Sequence, residues 1–391
     1  MLIIIGYLAG KHSIRRLRHW CQKKRDVLGK KLKLSGGIPS VSTISRIASK
    51  VDHELVALAF MDWIGQIVGT RGRDIIMDGK ALRGATDKIG GKNTPYILNA
   101  IDAATNLVIA QLAIPEKTNE ITAIPELIRM LDIRGSTVTI DAIGTATTIL
   151  NLINEKGGYF IQQVKKNCPA TYQEITDFFE EAEKEKAEDE EKFNDKYKEQ
   201  YTECSASEVN RERHEHRTMK CYGMDEEIGK IREAVPCMRT IGMSIQVRIP
   251  IEKDENGNDV TPTKGEFIKN GSRKRPRITD GDGFTDDIER VGMISNKDCN
   301  ADELAQYKRA HWKIENCLHY ILDETFHEDK STARKSRELL SVLRKTAYNI
   351  IRLIQMNEPG ENVPFSHVMD DIADDFGLAA RYIFLPIPSM Y

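Results

Sequence analysis

The chain lacks what a disulfide scaffold or a zinc module needs. Its seven cysteines (21, 168, 204, 221, 237, 299, 317) are odd in number, scattered, and include no C-x-x-C pair. That spacing argues against a disulfide framework and a thiolate zinc site, and fits a reducing cytoplasm. Long apolar runs are also missing. The opening MLIIIGYLAG is too short to span a bilayer and lacks a charged leader region or cleavage site, so it predicts the first turns of a buried helix. Nor is there a large net charge, since 57 Lys and Arg face 59 Asp and Glu, giving −2. The molecule as a whole is not a polycation, and nucleic-acid binding has to come from local patches.

Such patches are present. Residues 11–33 carry ten Lys or Arg, among them Arg15, Arg16 and Arg18, against one acid, Asp26. KNGSRKRPR (269–277) is a second, and the helix-like RKSRELLSVLRKTAYNIIR (334–352), with Arg344 at its centre, is a third. They are offset by residues 176–203, which hold twelve acids and five lysines and read as a solvated helix or an excursion. Three cationic patches against one acidic segment fit an anionic polymer as partner.

With 391 residues, 40% apolar and 30% charged, the chain can bury a sizeable core and hold more than one folding unit. Residues 1–70 read as helical and basic, with Ser40 or Ser42 as an N-cap. They suit a helix pair that touches DNA, or an ordinary helical subdomain. From residue 71 the pattern turns to α/β: a strand at RDIIMDG, a hairpin around residues 103–106, a helix over 119–133 with Pro125 near its first turn, a strand at STVTIDAIG, a helix ended by Gly157-Gly158, and a strand at YFIQQV. That order predicts a mixed sheet flanked by helices over 71–175. A β-containing insertion follows over 176–298 and a helical C-terminal part over 299–391.

RGRDIIMDGKALRGA (71–85) places Asp78 at the close of an apolar run, where a carboxylate is costly unless it is paired or needed. A second apolar strand closes on Asp141, 63 residues on. Glu315 lies on a predicted helix with His311 and His319 at i, i+4, i+8, hence on one face. Three carboxylates suit hard divalent ions. Taken singly, a strand-end Asp is more often a turn or helix cap, and Glu315 also reads as an ordinary surface acid.

Four motifs in order carry a resemblance: DGKALRGA (78–85), NEITAIPELIRMLDIRGSTVTIDAIGT (119–145), GGYFIQQVKKNCPATYQEI (157–175) and HWKIENCLHYILDETFHEDKS (311–331), joined by LRKTAYNIIRL (343–353). The chain resembles the H-repeat-associated (ISAs-type) insertion-sequence transposases, a bacterial branch of the DDE transposases with an RNase H-like core. The resemblance implies an RNase H-like mixed sheet with flanking helices, a β-containing insertion before the catalytic Glu helix, and a helical N-terminal domain. It also implies that MLIIIGYLAG enters mid-helix, as a truncated reading frame would.

By that resemblance Asp78, Asp141 and Glu315 are the catalytic acids and hold two Mg²⁺ ions, with Mn²⁺ able to substitute. They cut a phosphodiester at the element's end, and the freed 3′-hydroxyl attacks target DNA. Lys80, Arg83, Arg15, Arg16, Arg18, His311 and Arg344 are expected to contact double-stranded DNA, in a nucleoid-associated homodimer. Trp312 is free to pack or to stack on a displaced base. His311 stands where related transposases place an Arg, and Cys168 where the family has Gln. Two other readings are a metal nuclease without strand transfer and a non-catalytic DNA-binding remnant.

Overall fold

The computed structural model describes residues 1–85, 94–114, 120–141, 146–166, 168–197, 200–209, 213–224, 235–250, 252–253, 259–260, 278–279, 285–357 and 363–384. The basic stretch 269–277 and residues 142–145 after Asp141 lie outside them. The chain is α/β and divides into two units, one made of Met1–Thr139, Lys156–Gly158 and Ala310–Tyr391, the other of Ile140–Glu155 and Tyr159–Arg309. These units cut across the four consecutive segments read from the sequence.

The first unit opens with α1 (Leu2–Leu8), α2 (Ile14–Lys23), α3 (Arg25–Leu32), α4 (Val41–Ala48) and α5 (His53–Ile67). α1 is buried through Ile3, Ile5, Tyr7 and Leu8, as its apolar run predicts. Ser40 caps α4 by accepting from Thr43 N (3.1 Å), and Asp52 caps α5 by accepting from Glu54 N (2.9 Å). Four strands follow, β1 (Asp74–Ala81), β2 (Tyr96–Asp102), β3 (Val108–Ile114) and β4 (Thr137–Ile140), with spatial order β3-β2-β1-β4. β1 pairs antiparallel with β2, and β2 with β3. The β2–β3 turn closes where expected. Asp102 Oδ2 accepts from Thr105 N (2.9 Å) and Oγ1 (2.6 Å), and Asn106 adopts φ +59°, a left-handed setting that Asn tolerates. α6 (Glu120–Met130) carries Pro125 in its interior, so the helix continues past the proline expected near its first turn.

The second unit holds α7 (Thr147–Glu155), β5 (Tyr159–Val164), α8 (Pro169–Glu188), α9 (Glu190–Tyr197), β6 (Tyr201–Val209), β7 (Arg213–Gly223), β8 (Thr240–Pro250) and β9 (Thr285–Ser295). Its strands run β5-β9-β8-β7-β6, each neighbouring pair antiparallel. The acidic segment forms α8 and α9, which bury Ile175, Phe179, Ala182, Phe193 and Tyr197.

Within α10 (Ala301–His311) the chain passes back to the first unit. A π-turn (Ile314–His319), α11 (Tyr320–Glu324), α12 (Arg337–Asn357), α13 (Phe365–Asp374) and α14 (Gly377–Phe384) complete it. α12 is the stretch read as a third basic patch, yet fifteen of its residues are buried, Arg344 and Lys345 among them. It shares one apolar core with α1, α2, α5 and the β2–β3 hairpin. The Asn349 side chain pairs with the backbone of Val108, accepting from its N (2.9 Å) and donating to its O (2.8 Å). Tyr348 Oη lies 3.0 Å from Asn106 O and 2.8 Å from Cys317 O. The hairpin, the π-turn and α12 are thereby held together by buried polar contacts that fix their relative register.

Two outcomes test this packing. A Cβ on Gly84 would lie 2.1 Å from Asp329 O and 2.8 Å from Ser331 O. Gly84→Ala should therefore cost about 1–3 kcal/mol in urea unfolding, because backbone must move. An unchanged midpoint would mean that the two segments are not in contact. His12 has its Nδ1 buried with no hydrogen-bond partner among the described residues, and its ring stands edge-on to His327 at 4.6 Å. Burial, then the neighbouring His327 and Arg344, push its pKa down to about 4. The unfolded chain thus takes up this proton below about pH 6.5 while the folded one does not, so stability falls as pH drops from about 6.5 towards 4. His12→Phe should recover about 1 kcal/mol of the stability lost between pH 7 and 5. An identical acid slope in the variant would show that His12 is not the titrating group.

Candidate active site around Asp78

Side chains alternate along β1, so Ile76, Asp78 and Lys80 share a face. Asp78 is the fifth residue of the strand rather than its end, and it pairs across to Asn99. Its side chain is 20% exposed. The π-turn packs on this strand, and His319 Nδ1 lies 3.6 Å from Asp78 Oδ2. His319 Nε2 is 3.4 Å from Asn99 Nδ2, an amide nitrogen that can only donate, which assigns the imidazole proton to Nδ1 on the Asp78 side. Burial, with the Lys80 and Lys345 charges behind it, pushes His319 down to about 3, so the ring facing Asp78 is neutral.

Two residues further on, Lys80 is buried and fully engaged. Its Nζ donates to Asp323 Oδ1 (2.6 Å) and Asp329 Oδ1 (3.3 Å), and lies 3.7 Å from Glu328 Oε2. Burial alone would lower its pKa, but Glu328, Asp323 and Asp329 raise it above the usual lysine value. Glu328 in turn accepts from Ser341 Oγ (3.0 Å) and sits 3.9 Å from Arg344. Burial would raise its carboxyl; Lys345, Arg344 and Lys80 outweigh that and hold it below the usual range. The Arg344 guanidinium lies over the Tyr7 ring at 5.0 Å, and the residue is 2% exposed. The expectation that Lys80 and Arg344 meet DNA is therefore corrected. Both are buried counter-charges of an internal carboxylate.

Glu315 is exposed on the π-turn, in the same unit as Asp78. The expected regular helix is interrupted there, with Tyr320 N bonding Glu315 O, one residue further than an α-turn reaches. Such bulges recur at functional sites. Three tethers hold the segment: Lys313 Nζ donates to Ala103 O (3.0 Å), Tyr348 meets Cys317 O, and His311 Nδ1 lies 3.4 Å from Thr139 Oγ1. Trp312 is 55% exposed, which removes the core-packing reading.

Asp141 belongs to the other unit, directly after β4. The buried Gln162 on β5 donates from Nε2 to Ile140 O (3.0 Å) and Asp141 O (2.8 Å), fixing the backbone that carries the acid. Lys165 Nζ is 3.9 Å from Asp141 Oδ1, an exposed pair worth little by itself. Arg83 is exposed, with its backbone N donating to Asp329 Oδ1 (3.3 Å). Arg15 and Arg16 are exposed on α2, whereas Arg18 Nε is tied to Pro39 O (3.1 Å).

The carboxylate set has the donor chemistry of a hard divalent ion. Among the described residues no group of three or more His, Cys, Asp or Glu is gathered closely enough to hold a metal ion. Sequence reasoning missed Asn99, Gln162 and the burial of Glu328. The signal for the first two was available, since an uncharged amide inside an apolar strand needs a partner.

The comparisons with known proteins agree on a family. Residues 69–350 match the family described as "Transposase DDE domain", and residues 1–64 the one described as "DDE_Tnp_1-associated". "Putative transposase YncI" of Escherichia coli O157:H7 is 26% identical over 356 residues, covering 90% of this chain and 80% of the relative. "H repeat-associated putative transposase YhhI" of Escherichia coli K12 is 27% identical over 354 residues, covering 90% and 83%. A piggyBac transposase synaptic complex with hairpin DNA is similar at 10% identity and a TM-score of 0.40, over 82% of this chain and 55% of that one. With most of its length inside the DDE domain and its first 64 residues in the associated one, the chain belongs to the H-repeat-associated DDE transposases.

Proposed function

We propose that the chain cuts DNA at the ends of an insertion-sequence element and joins the freed 3′-hydroxyl to target DNA, using Asp78, Asp141 and Glu315 as its acids. Family membership supplies the reaction class. The observation that carries the residue assignment is the packing of the Glu315-bearing π-turn on β1, with His319 of that turn 3.6 Å from Asp78. The order β3-β2-β1-β4, with the first three strands antiparallel, supports an RNase H-like core.

Each residue has a derivable task. Asp78, Asp141 and Glu315 would hold Mg²⁺, with Mn²⁺ able to replace it. When bound, such an ion supplies Lewis-acid polarisation of the scissile phosphate and offsets its negative charge. The neutral His319 orients the Asp78 carboxylate without cancelling its charge, which a lysine or arginine there would do. Gln162 fixes the main chain at Asp141. Lys165, Arg83 and His311 would meet phosphate oxygens.

The reading is tested by incubating the protein and Mg²⁺ with the DNA that flanks its gene, then sequencing the products. Strand-joined products are expected; cuts without joining would leave a nuclease, and uncut DNA would overturn the reading. Asp78→Asn should abolish cleavage, leave duplex affinity unchanged, and hold or raise the melting temperature, since a partly buried charge is removed. Lys80→Met should do the opposite to stability and cost about 3 kcal/mol or more, by stranding three carboxylates. An Asp78→Asn protein that is destabilised yet still cuts would remove Asp78 from the chemistry.

Gln162→Glu keeps the shape and loses both donors to the carbonyls of Ile140 and Asp141. The Mg²⁺ concentration for half-maximal cleavage should rise several-fold, and Mn²⁺ affinity read directly by electron paramagnetic resonance should fall in step, with duplex binding unchanged. Unaltered metal dependence in both measurements would show that Gln162 does not position the acid.

A further inference from the structure

The cations on and beside α2 fall into two groups with opposite surroundings. Ser13 starts the helix by accepting from Arg16 N (3.3 Å), and Leu17, Trp20 and Cys21 anchor its buried face. On its other side lies an open cavity of about 500 Å³, lined by Lys11, Arg15, Arg16, His19, Trp20 and Lys23. Among the described residues no carboxylate lines it. None of these four Lys and Arg side chains makes an ion pair among the described residues.

Neighbouring cations are treated differently. Arg18 is spent on Pro39 O, Lys24 donates to Asp374 O (2.9 Å), and Arg25 pairs with Asp26 (3.2 Å). Like charges at i, i+4 spacing repel, so a cluster without counter-charges lowers stability unless something anionic settles on it. Its spacing is informative. Arg15, His19 and Lys23 recur every four residues, about 6 Å apart along a helix axis, close to the interval between successive phosphates on one DNA strand. The buried Trp20 adds apolar surface to the same cavity, suited to the sugar between two phosphates.

We infer that this cavity docks the sugar-phosphate backbone of double-stranded DNA, with Lys11, Arg15, Arg16 and Lys23 as phosphate contacts and Arg18 outside the set. The inference rests on the proposed DNA-cutting role for its choice of polyanion, and it places a docking surface on the N-terminal helices. Phosphate contacts carry no base information, so the surface grips any sequence.

The experiment is fluorescence anisotropy of the full chain on a labelled duplex of arbitrary sequence, titrated across salt concentrations. Each of Lys11→Gln, Arg15→Gln, Arg16→Gln and Lys23→Gln should weaken binding and reduce the slope of log K against log salt by about one. The quadruple variant should lose about three to four units of slope, to the same extent on unrelated sequences. Arg25→Gln, an exposed cation outside the cavity, should leave slope and affinity unchanged, and melting temperatures confirm that each variant is folded. A folded quadruple variant with wild-type affinity and slope overturns the inference, and if the wild type still cuts flanking DNA with Mg²⁺, the enzymatic reading stands without it. A wild-type chain that neither binds nor cuts duplex overturns both.

Discussion

Glu328 is the residue on which the first unit turns. Its carboxylate is inside the protein, where an unpaired ion would cost several kcal/mol, and three cations from two elements converge on it. Lys80 comes from β1, the strand that carries Asp78, and Arg344 and Lys345 come from α12, the longest helix of the unit. Lys345 is fully buried and burial pulls its pKa down to about 8, yet Ser341 accepts from its Nζ at 2.6 Å. None of these charges is stable in the interior alone. Each is tolerated because the others are present, so strand and helix have one register in which all are satisfied.

This arrangement answers why an apolar strand tolerates two charged residues in three. Lys80 is held by carboxylates and contributes to the fold. Asp78, on the same face, meets the neutral imidazole of His319 instead. His319 is kept neutral by its own burial and by Lys80 and Lys345, so the structural cluster sets the protonation state of the ring beside the acid.

Much of this was legible in the sequence, for definite reasons. The hairpin around Asn106 followed from two apolar runs split by turn residues, and the burial of α1 from an unbroken apolar start; both depend on local chemistry. Glu315 and the two aspartates were singled out from strand ends, helix spacing and motif order, and their role as the acids is a proposal. Burial of Lys80 and Arg344 was not legible, because a cation in an amphipathic pattern reads as surface until its carboxylate partner, here about 250 residues away for Lys80, is known. The π-turn was hidden for a related reason. Its extra residue per turn is stabilised by tertiary tethers from Ala103 and Tyr348, not by propensity. Asp78 was placed at a strand end because Gly79 looked like a stop. The strand continues through it, paired to Leu98.

The same residue type thus serves two ends in one unit, and the deciding variable is whether a carboxylate is packed against it. Arg344 shares its interior with Glu328 and Tyr7 and is unavailable to any ligand. Arg15 and Arg16 are exposed on α2 and make no ion pair among the described residues. A sequence count of Lys and Arg cannot separate these populations, and a net charge of −2 conceals both. What separates them is desolvation: a cation enters the core only with its counter-charge, so those left outside without one are the ones whose electrostatic energy an approaching polyanion can lower. Recognition and folding draw on one pool of charge, and burial divides it.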